Sequence, residues 1–386
     1  MATPYPVPSR FFSLDVLRGT LTFFIIFFHW QHFFYDGGTV SADFVRTSQP
    51  LYAILTPLYT QGIYAVDFFF SLSGFIFFWL YAEPIRCRTV SASKYAALRF
   101  SRLYPLHIAT LLLVIVAQHF TFREFGQYLV YQENDWYHLF LNIFFVNAWG
   151  VENGFSFNGP AWTVSIEVMM YISFFTIAYY GKGSSLLVAL TIAIIGFFIE
   201  RDFNKQIGMG FHSFFVGGIA YILYTKLLRF NLKRLVLILG PLCAIIWIVA
   251  IIDMYTGIAP GLKYIPRDSV FHRIFKVFDS SLFATIVVIP FTIIFLALAE
   301  TVRGRLGKRA HVLGDLSYAL YLLHFPLQLA FILVTHWLGI DRSFFYSVTS
   351  LLSFFVILFV LSYFSYFHFE LPLQKYLRRR LIKRPS

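Results

Sequence analysis

Apolar residues recur along this chain in long blocks, and its charges collect in the short stretches between them. The runs 235–252, 281–299 and 343–367 contain no Asp, Glu, Lys or Arg. At about 1.5 Å per helical residue, runs of this length cross a hydrocarbon core of about 30 Å. Hydropathy predicts ten spans, near 14–34, 62–81, 101–120, 160–180, 184–200, 208–226, 235–252, 281–299, 315–338 and 343–368. An eleventh apolar stretch, YHLFLNIFFVNAW at 137–149, is too short to cross. The expected fold class is an all-α polytopic membrane protein of about ten transmembrane helices plus one short re-entrant or interfacial segment.

Composition agrees and narrows the class. Of 386 residues 58% are hydrophobic and only 13% charged, with a mean hydropathy of +0.69. A soluble domain carries about a quarter charged residues. The formal charge of +12 does not signal nucleic acid, because the basic residues sit in clusters between spans, as the positive-inside rule requires. With ten crossings, the basic loops 82–100, 226–234 and 300–311 and the tail LRRRLIKR all fall on the side of the N-terminus, so both termini are expected to be cytoplasmic. The longest polar connections, 35–57, 121–136 and 253–280, then lie on the far side. Asp15 and Arg18 interrupt the first apolar run, which is expected to be retained as a span rather than cleaved. Two cysteines, Cys87 and Cys243, imply neither a disulfide framework nor a cysteine metal site. No internal repeat or linker is visible, so residues 1–386 read as one membrane domain, with helices from about 14 to 368 and a short basic tail at 371–386.

Candidate chemistry begins with RGTLTFFIIFFH, residues 18–29. In an α-helix eleven residues turn through about 1100°, leaving Arg18 and His29 about 20° apart in azimuth and about 16 Å apart along the axis. Asp15, Thr22 and His32 share that face, making a polar stripe among phenylalanines. Arg18 is expected near the cytoplasmic boundary and His29 past the midplane. A bland alternative makes Asp15 and Arg18 an interfacial ion pair and His29 a packing hydrogen bonder.

Asp67 and Glu167 also lie in or at the ends of spans, where ionised carboxylates need partners. A histidine oriented by a carboxylate is the usual pair for taking a proton from a hydroxyl. Glu167, and after it Asp67, are therefore candidate partners of His29, although Asp67 also fits a helix cap or loop anchor. Arg99 and Arg102, three apart on one face, suit anionic groups such as nucleotide phosphates, or equally lipid phosphates. His324 lies beside Pro326 in LGDLSYALYLLHFPLQ, where it could instead satisfy the carbonyls that the proline frees.

In this order the segments resemble acyltransferase family 3, the integral membrane acyltransferases. FFSLDVLRGTLTFFIIFFH is similar to the family's first-helix motif, an arginine followed after ten residues by a histidine. YAVDFFFSLSGFIF resembles its second-helix signature, which includes Ser73, and LRFSRLYPLHI the arginine-rich entry to its third helix. GPAWTVSIEVMMY, SYALYLLHFPL with Tyr318 and His324, and FHFELPLQKYL resemble its later motifs. The resemblance implies a ten-helix domain that moves an acyl group, commonly acetyl, from cytoplasmic acyl-CoA to a hydroxyl of a surface or exported glycan. It carries His29 and Glu167 over as catalytic residues, and Arg18, Arg99 and Arg102 as residues near the donor. Asp15, Asp67, Ser73, His324 and Tyr318 remain further candidates. Val168 and Met169 depart from the polar residues often found after the motif's glutamate. The family's optional esterase-like domain is not expected.

The implied partners are acyl-CoA as donor substrate, with no permanently bound cofactor and no metal, a glycan or lipid-linked saccharide acceptor, and the bilayer, with no nucleic acid. A multi-pass location in a bacterial cytoplasmic membrane follows from the same resemblance. The rival reading is a proton-coupled transporter, since buried His, Asp and Glu in a many-helix protein also describe a carrier.

Overall fold

A computed structural model describes residues 7–181, 185–256 and 280–382. These residues are almost entirely helical. Helix α1 (Phe12–Phe28) tightens into a 3-10 segment (His29–Phe34), which leads into a small hairpin of β1 (Tyr35–Asp36) and β2 (Thr39–Val40). There follow α2 (Tyr52–Thr60), α3 (Gly62–Arg86), α4 (Ala92–Phe125), α5 (Trp136–Ile143), α6 (Trp162–Tyr179), α7 (Leu186–Asp202), α8 (Lys205–Leu227) and α9 (Leu232–Thr256). A π-helical segment (Ala284–Val288) opens α10 (Ile289–Arg303), followed by α11 (Val312–Trp337) and α12 (Val348–Phe364). A second π segment (Ser365–Glu370) joins α12 to α13 (Leu371–Leu381). Most of the polar connection expected at 253–280 lies outside the described residues, as do residues 383–386 of the basic tail.

Among the described residues nine helical segments are long and apolar enough to cross a membrane. The tenth predicted span, α7, has 17 residues, which at about 1.5 Å each falls just short of a core of about 30 Å. Helix α5 has 8 residues and is far too short to cross, as expected of an interfacial or re-entrant segment. Several helices start on side-chain caps that the sequence offers: the side chains of Ser91, Asp135, Ser185, Asn204 and Ser347 each accept the backbone N–H three residues on.

The chain packs as two compact units interleaved along the sequence, the first comprising Met1–Ile25, Thr60–Cys87 and Phe174–Gly314 and the second the remainder. In the first unit, glycines let helices meet backbone to backbone. A Cβ at Gly74 of α3 would lie 1.8 Å from the Phe214 carbonyl oxygen of α8, and one at Gly217 of α8 would lie 1.9 Å from the Ser71 oxygen. Small residues at such crossings are how helices associate where burial from water supplies little drive. The same unit holds a carboxylate absent from the candidate residues above. Glu300 of α10, fully buried, accepts the backbone N–H groups of Phe12 (3.0 Å) and Ser13 (2.9 Å) and the Ser13 hydroxyl (2.7 Å). Its oxygens thereby satisfy first-turn donors of α1 that have no partner within the helix.

In the second unit, aromatic packing fixes the 3-10 segment. Phe33 stacks on Phe345 with ring centroids 4.0 Å apart, and the Trp30 indole N–H donates to the Phe345 carbonyl at 3.0 Å. Helix α4, 34 residues long, packs along α13.

Candidate active site

His29 is the first residue of the 3-10 segment. Three residues per turn eclipse positions i and i+3, so the His29 and His32 rings stack, their centroids 4.7 Å apart and their planes at 17°. Gln328 of α11 locks the pair: its Nε2 donates to the His29 carbonyl at 2.9 Å, and its Oε1 accepts from His32 Nδ1 at 3.3 Å.

His29 also meets His324. Its Nδ1 lies 2.9 Å from His324 Nε2, and the two rings are within 7° of parallel. The Pro326 kink explains why His324 is available. Proline lacks an N–H, so the Leu322 carbonyl four residues earlier loses its helical partner. Asn158 takes that role, its Nδ2 donating to the Leu322 oxygen at 3.0 Å. His324 is thus left to bridge the Tyr321 carbonyl, through Nδ1, to His29.

This arrangement sets the tautomers of two neutral imidazoles. A carbonyl oxygen only accepts, so His324 Nδ1 carries a proton and His324 Nε2 is the acceptor. His29 Nδ1 must then donate, which leaves the lone pair of His29 on Nε2. Among the described residues that nitrogen has no hydrogen-bond partner, and His29 is partly exposed. A protein-held N–H on one side and a lone pair on the other is the configuration of a general base or nucleophile.

The motif around Glu167 supports the same kink. The Thr163 hydroxyl donates to the Tyr321 hydroxyl at 2.8 Å, and that hydroxyl in turn donates to the Pro160 carbonyl. A Cβ at Gly159 would lie 2.3 Å from the Tyr131 ring, so glycine there admits Tyr131, whose ring sits edge-on to His32 at 5.7 Å. Burial pushes the Tyr131 phenol well above its usual range, which keeps it a neutral O–H.

Glu167 itself accepts a hydrogen bond from the Tyr171 hydroxyl. Tyr171 lies under the Arg99 guanidinium, 5.8 Å from ring centroid to Cζ, and within electrostatic reach of both Arg99 and Arg102. The sequence reading made Glu167, and after it Asp67, the candidate partners of His29; His29 Nδ1 meets His324, while Glu167 meets Tyr171 and Asp67 meets Ser213. Tyr318 donates to the Leu103 carbonyl of α4 at 2.7 Å.

The remaining candidates belong to the first unit. Arg18 Nη2 donates to the Gly314 carbonyl at 2.8 Å and lies 3.4 Å from Asp15 Oδ1, while Arg10 Nε lies 2.6 Å from Asp15 Oδ2. The ion pair read from the spacing of Asp15 and Arg18 is present. Close approach makes the carbonyl contact possible, since a Cβ at Gly314 would lie 2.3 Å from the Asp15 oxygen. Asp67 is buried and accepts from the Ser213 hydroxyl at 2.6 Å. Ser73 is half-buried one residue before the packing glycine Gly74.

Among the described residues one trio has metal-ligating atoms within reach of one another: Glu133, Asp135 and His138. His138 Nδ1 donates to Asp135 Oδ1 at 2.8 Å, and the Asn153 N–H donates to His138 Nε2 at 3.2 Å. Both ring nitrogens are thus engaged, Nδ1 by the N-cap residue of α5 and Nε2 by the loop at Asn153, so the trio suits a cap and loop anchor rather than a cation.

The acyltransferase domain family matches residues 11–369. A relative described as Protein 2 in picA locus, from Rhizobium radiobacter, is 31% identical over 107 residues, 28% of this chain and 45% of that protein. The chain therefore covers less than half the length of that relative. No solved structure matches it. The family match takes in the paired histidines, the helix that contains Pro326 and the arginine-rich entry to α4, and the chain belongs to acyltransferase family 3, with several helices long and apolar enough to cross a membrane.

Proposed function

We propose that this acyltransferase moves an acyl group, acetyl in the simplest case, from acyl-CoA to a hydroxyl of a surface or exported glycan, with His29 Nε2 as the reacting atom. The observation that carries the reading is the chain from the Tyr321 carbonyl through His324 to His29, which leaves the Nε2 lone pair without a partner among the described residues. In the transfer, Nε2 takes the proton of the acceptor hydroxyl as its oxygen attacks the thioester carbonyl. The tetrahedral intermediate expels the thiolate, which recovers the proton from Nε2–H, giving an ester and CoA thiol. The same atom would serve if the acyl group rested briefly on the imidazole. His324 is the positioning residue, in the place where a carboxylate usually stands. Arg99 and Arg102, with Glu167 and Tyr171 beside them, are the donor end, and the family reading also counts Arg18 as a donor residue. The acceptor class, the acetyl group and a bacterial cytoplasmic membrane rest on the family resemblance.

Purified protein in nanodiscs, given acetyl-CoA and candidate glycans, tests the reading by thiol release. Release that depends on acceptor and is lost in His29→Ala is expected. Undiminished release in that variant would overturn it.

A further inference from the structure

The basic tail entered the sequence reading as a topology signal alone, yet the structure turns one of its arginines onto the entry of α4. From Val348 to Leu381 the chain is one continuous helical run of 34 residues, about 51 Å at 1.5 Å per residue, so its last turns extend beyond a core of about 30 Å. The π segment Ser365–Glu370 inserts an extra residue per turn and so re-aims everything after it. Helix α13 consequently lies along α4, and Arg378 Nε donates to the Ser101 hydroxyl at 3.3 Å. Ser101 is buried, and its own proton goes to the Leu98 carbonyl at 3.2 Å, which leaves its lone pairs for the guanidinium.

Helix geometry then orders the cations. On α4, Arg102 stands about 60° in azimuth from Arg99 on one side and about 100° from Ser101 on the other, all within about 4.5 Å along the axis. Arg102 is therefore central, flanked by Arg99 and, through Ser101, by Arg378. Glu370 is near enough to Arg102 to interact with its charge, and Glu167 stands beside the same arginines through Tyr171, so two carboxylates face three guanidinium groups and at least one positive charge is left over. Arg102 is exposed and the other two arginines are half-buried, so the cluster faces outward from a fixed base.

We propose that Arg378 completes a phosphate site with Arg99 and Arg102, and that this site binds the diphosphate and 3′-phosphate of the acyl-CoA donor. The proposal rests on the acyl-CoA reading above. Guanidinium groups are the side chains best matched to phosphate oxygens. The test compares acetyl-CoA with acetyl-pantetheine, which carries the same thioester and no phosphate, in nanodiscs of neutral lipid. Arg378→Gln is expected to raise KM for acetyl-CoA roughly tenfold, the loss of one charged hydrogen bond, to raise KM for acetyl-pantetheine far less, and to act on KM rather than kcat. Ser101→Ala, which keeps all three arginines and only unseats Arg378, should show a smaller shift of the same kind, and decides the matter if Arg378→Gln does not accumulate. An equal rise for both donors, no rise for either, or an effect confined to nanodiscs of anionic lipid would overturn the proposal, the last by assigning the arginines to lipid headgroups. Failure of the acyl-CoA reading itself is distinct, since wild-type protein would then turn over neither donor.

Discussion

His29 Nδ1 and His324 Nε2 lie 2.9 Å apart, although 295 residues separate them in the chain. That contact makes His324 the fixed acceptor and His29 the donor, so the reactive lone pair of His29 has one possible location. His29→Ala should lower turnover by at least the roughly 10²- to 10⁴-fold that a positioned base contributes, measured as CoA thiol release, with the protein still accumulating. His324→Leu removes the acceptor and should reduce kcat with little change in KM. His324→Gln keeps an oxygen near the position of Nε2 and should retain clearly more activity than His324→Leu. Equal activity in the two variants would remove His324 from the mechanism.

Gly74 is expected to be irreplaceable for packing reasons. An added Cβ would lie 1.8 Å from a backbone oxygen of α8, and backbone cannot swing aside as a flexible side chain can. Gly74→Ala should destabilise the protein by about 1–3 kcal/mol, read as a lower thermal midpoint in detergent. A midpoint equal to wild type would mean that α3 and α8 do not meet as described.

Arg18→Ala distinguishes packing from donor binding. The side chain joins Asp15 to the Gly314 carbonyl, so its loss leaves a part-buried carboxylate with Arg10 as its remaining ion-pair partner. A fall in thermal stability is expected, and a rise in KM for acetyl-CoA on top of it would place Arg18 among the donor residues. Wild-type stability together with raised KM would show that the contact with Gly314 is incidental.

The cap of α5 should respond to acid. Backbone and side-chain hydrogen bonds from His138 hold the Asp135 carboxyl below its ordinary range. A depressed carboxyl contributes stability that is fully present above its unfolded value and is lost as pH falls through the folded one. The hydrogen-exchange protection factor across Trp136–Ile143, the observed rate corrected for the intrinsic rate at each pH, should therefore be smaller at pH below the usual carboxylate range and larger above it. Asp135→Ala should weaken the cap by about 1 kcal/mol and abolish the pH dependence. A pH dependence that survives the substitution would assign the cap to another group.

Much of this was legible in the chain because it is local. A transmembrane helix declares itself through about twenty apolar residues in a row, and the nine long spans among the described residues and the short α5 needed nothing else, while α7 falls just short of a crossing. The Asp15 and Arg18 pair was legible from three-residue spacing as the bland alternative, and the shared face of His29 and His32 from the same periodicity. Only the switch from α to 3-10 geometry at His29, imposed by the packing of Trp30 and Phe33 on Phe345, brings those rings face to face. Glu300 was passed over because a glutamate at the end of a span reads as a boundary residue, and nothing near it in sequence announces that it caps α1.

The sequence alone therefore determined the membrane class, the spans and the side chains available for chemistry, since these depend on composition and on periodicities of a few residues. Tertiary structure decided the partnerships: His324 rather than Glu167 on His29, Asn158 on the carbonyl that Pro326 frees, and Arg378 on Ser101. In a bilayer every unsatisfied polar group is costly, so each must find a partner wherever packing brings one within hydrogen-bond distance. Such distances are set by how helices remote in sequence cross, a property that no single segment encodes.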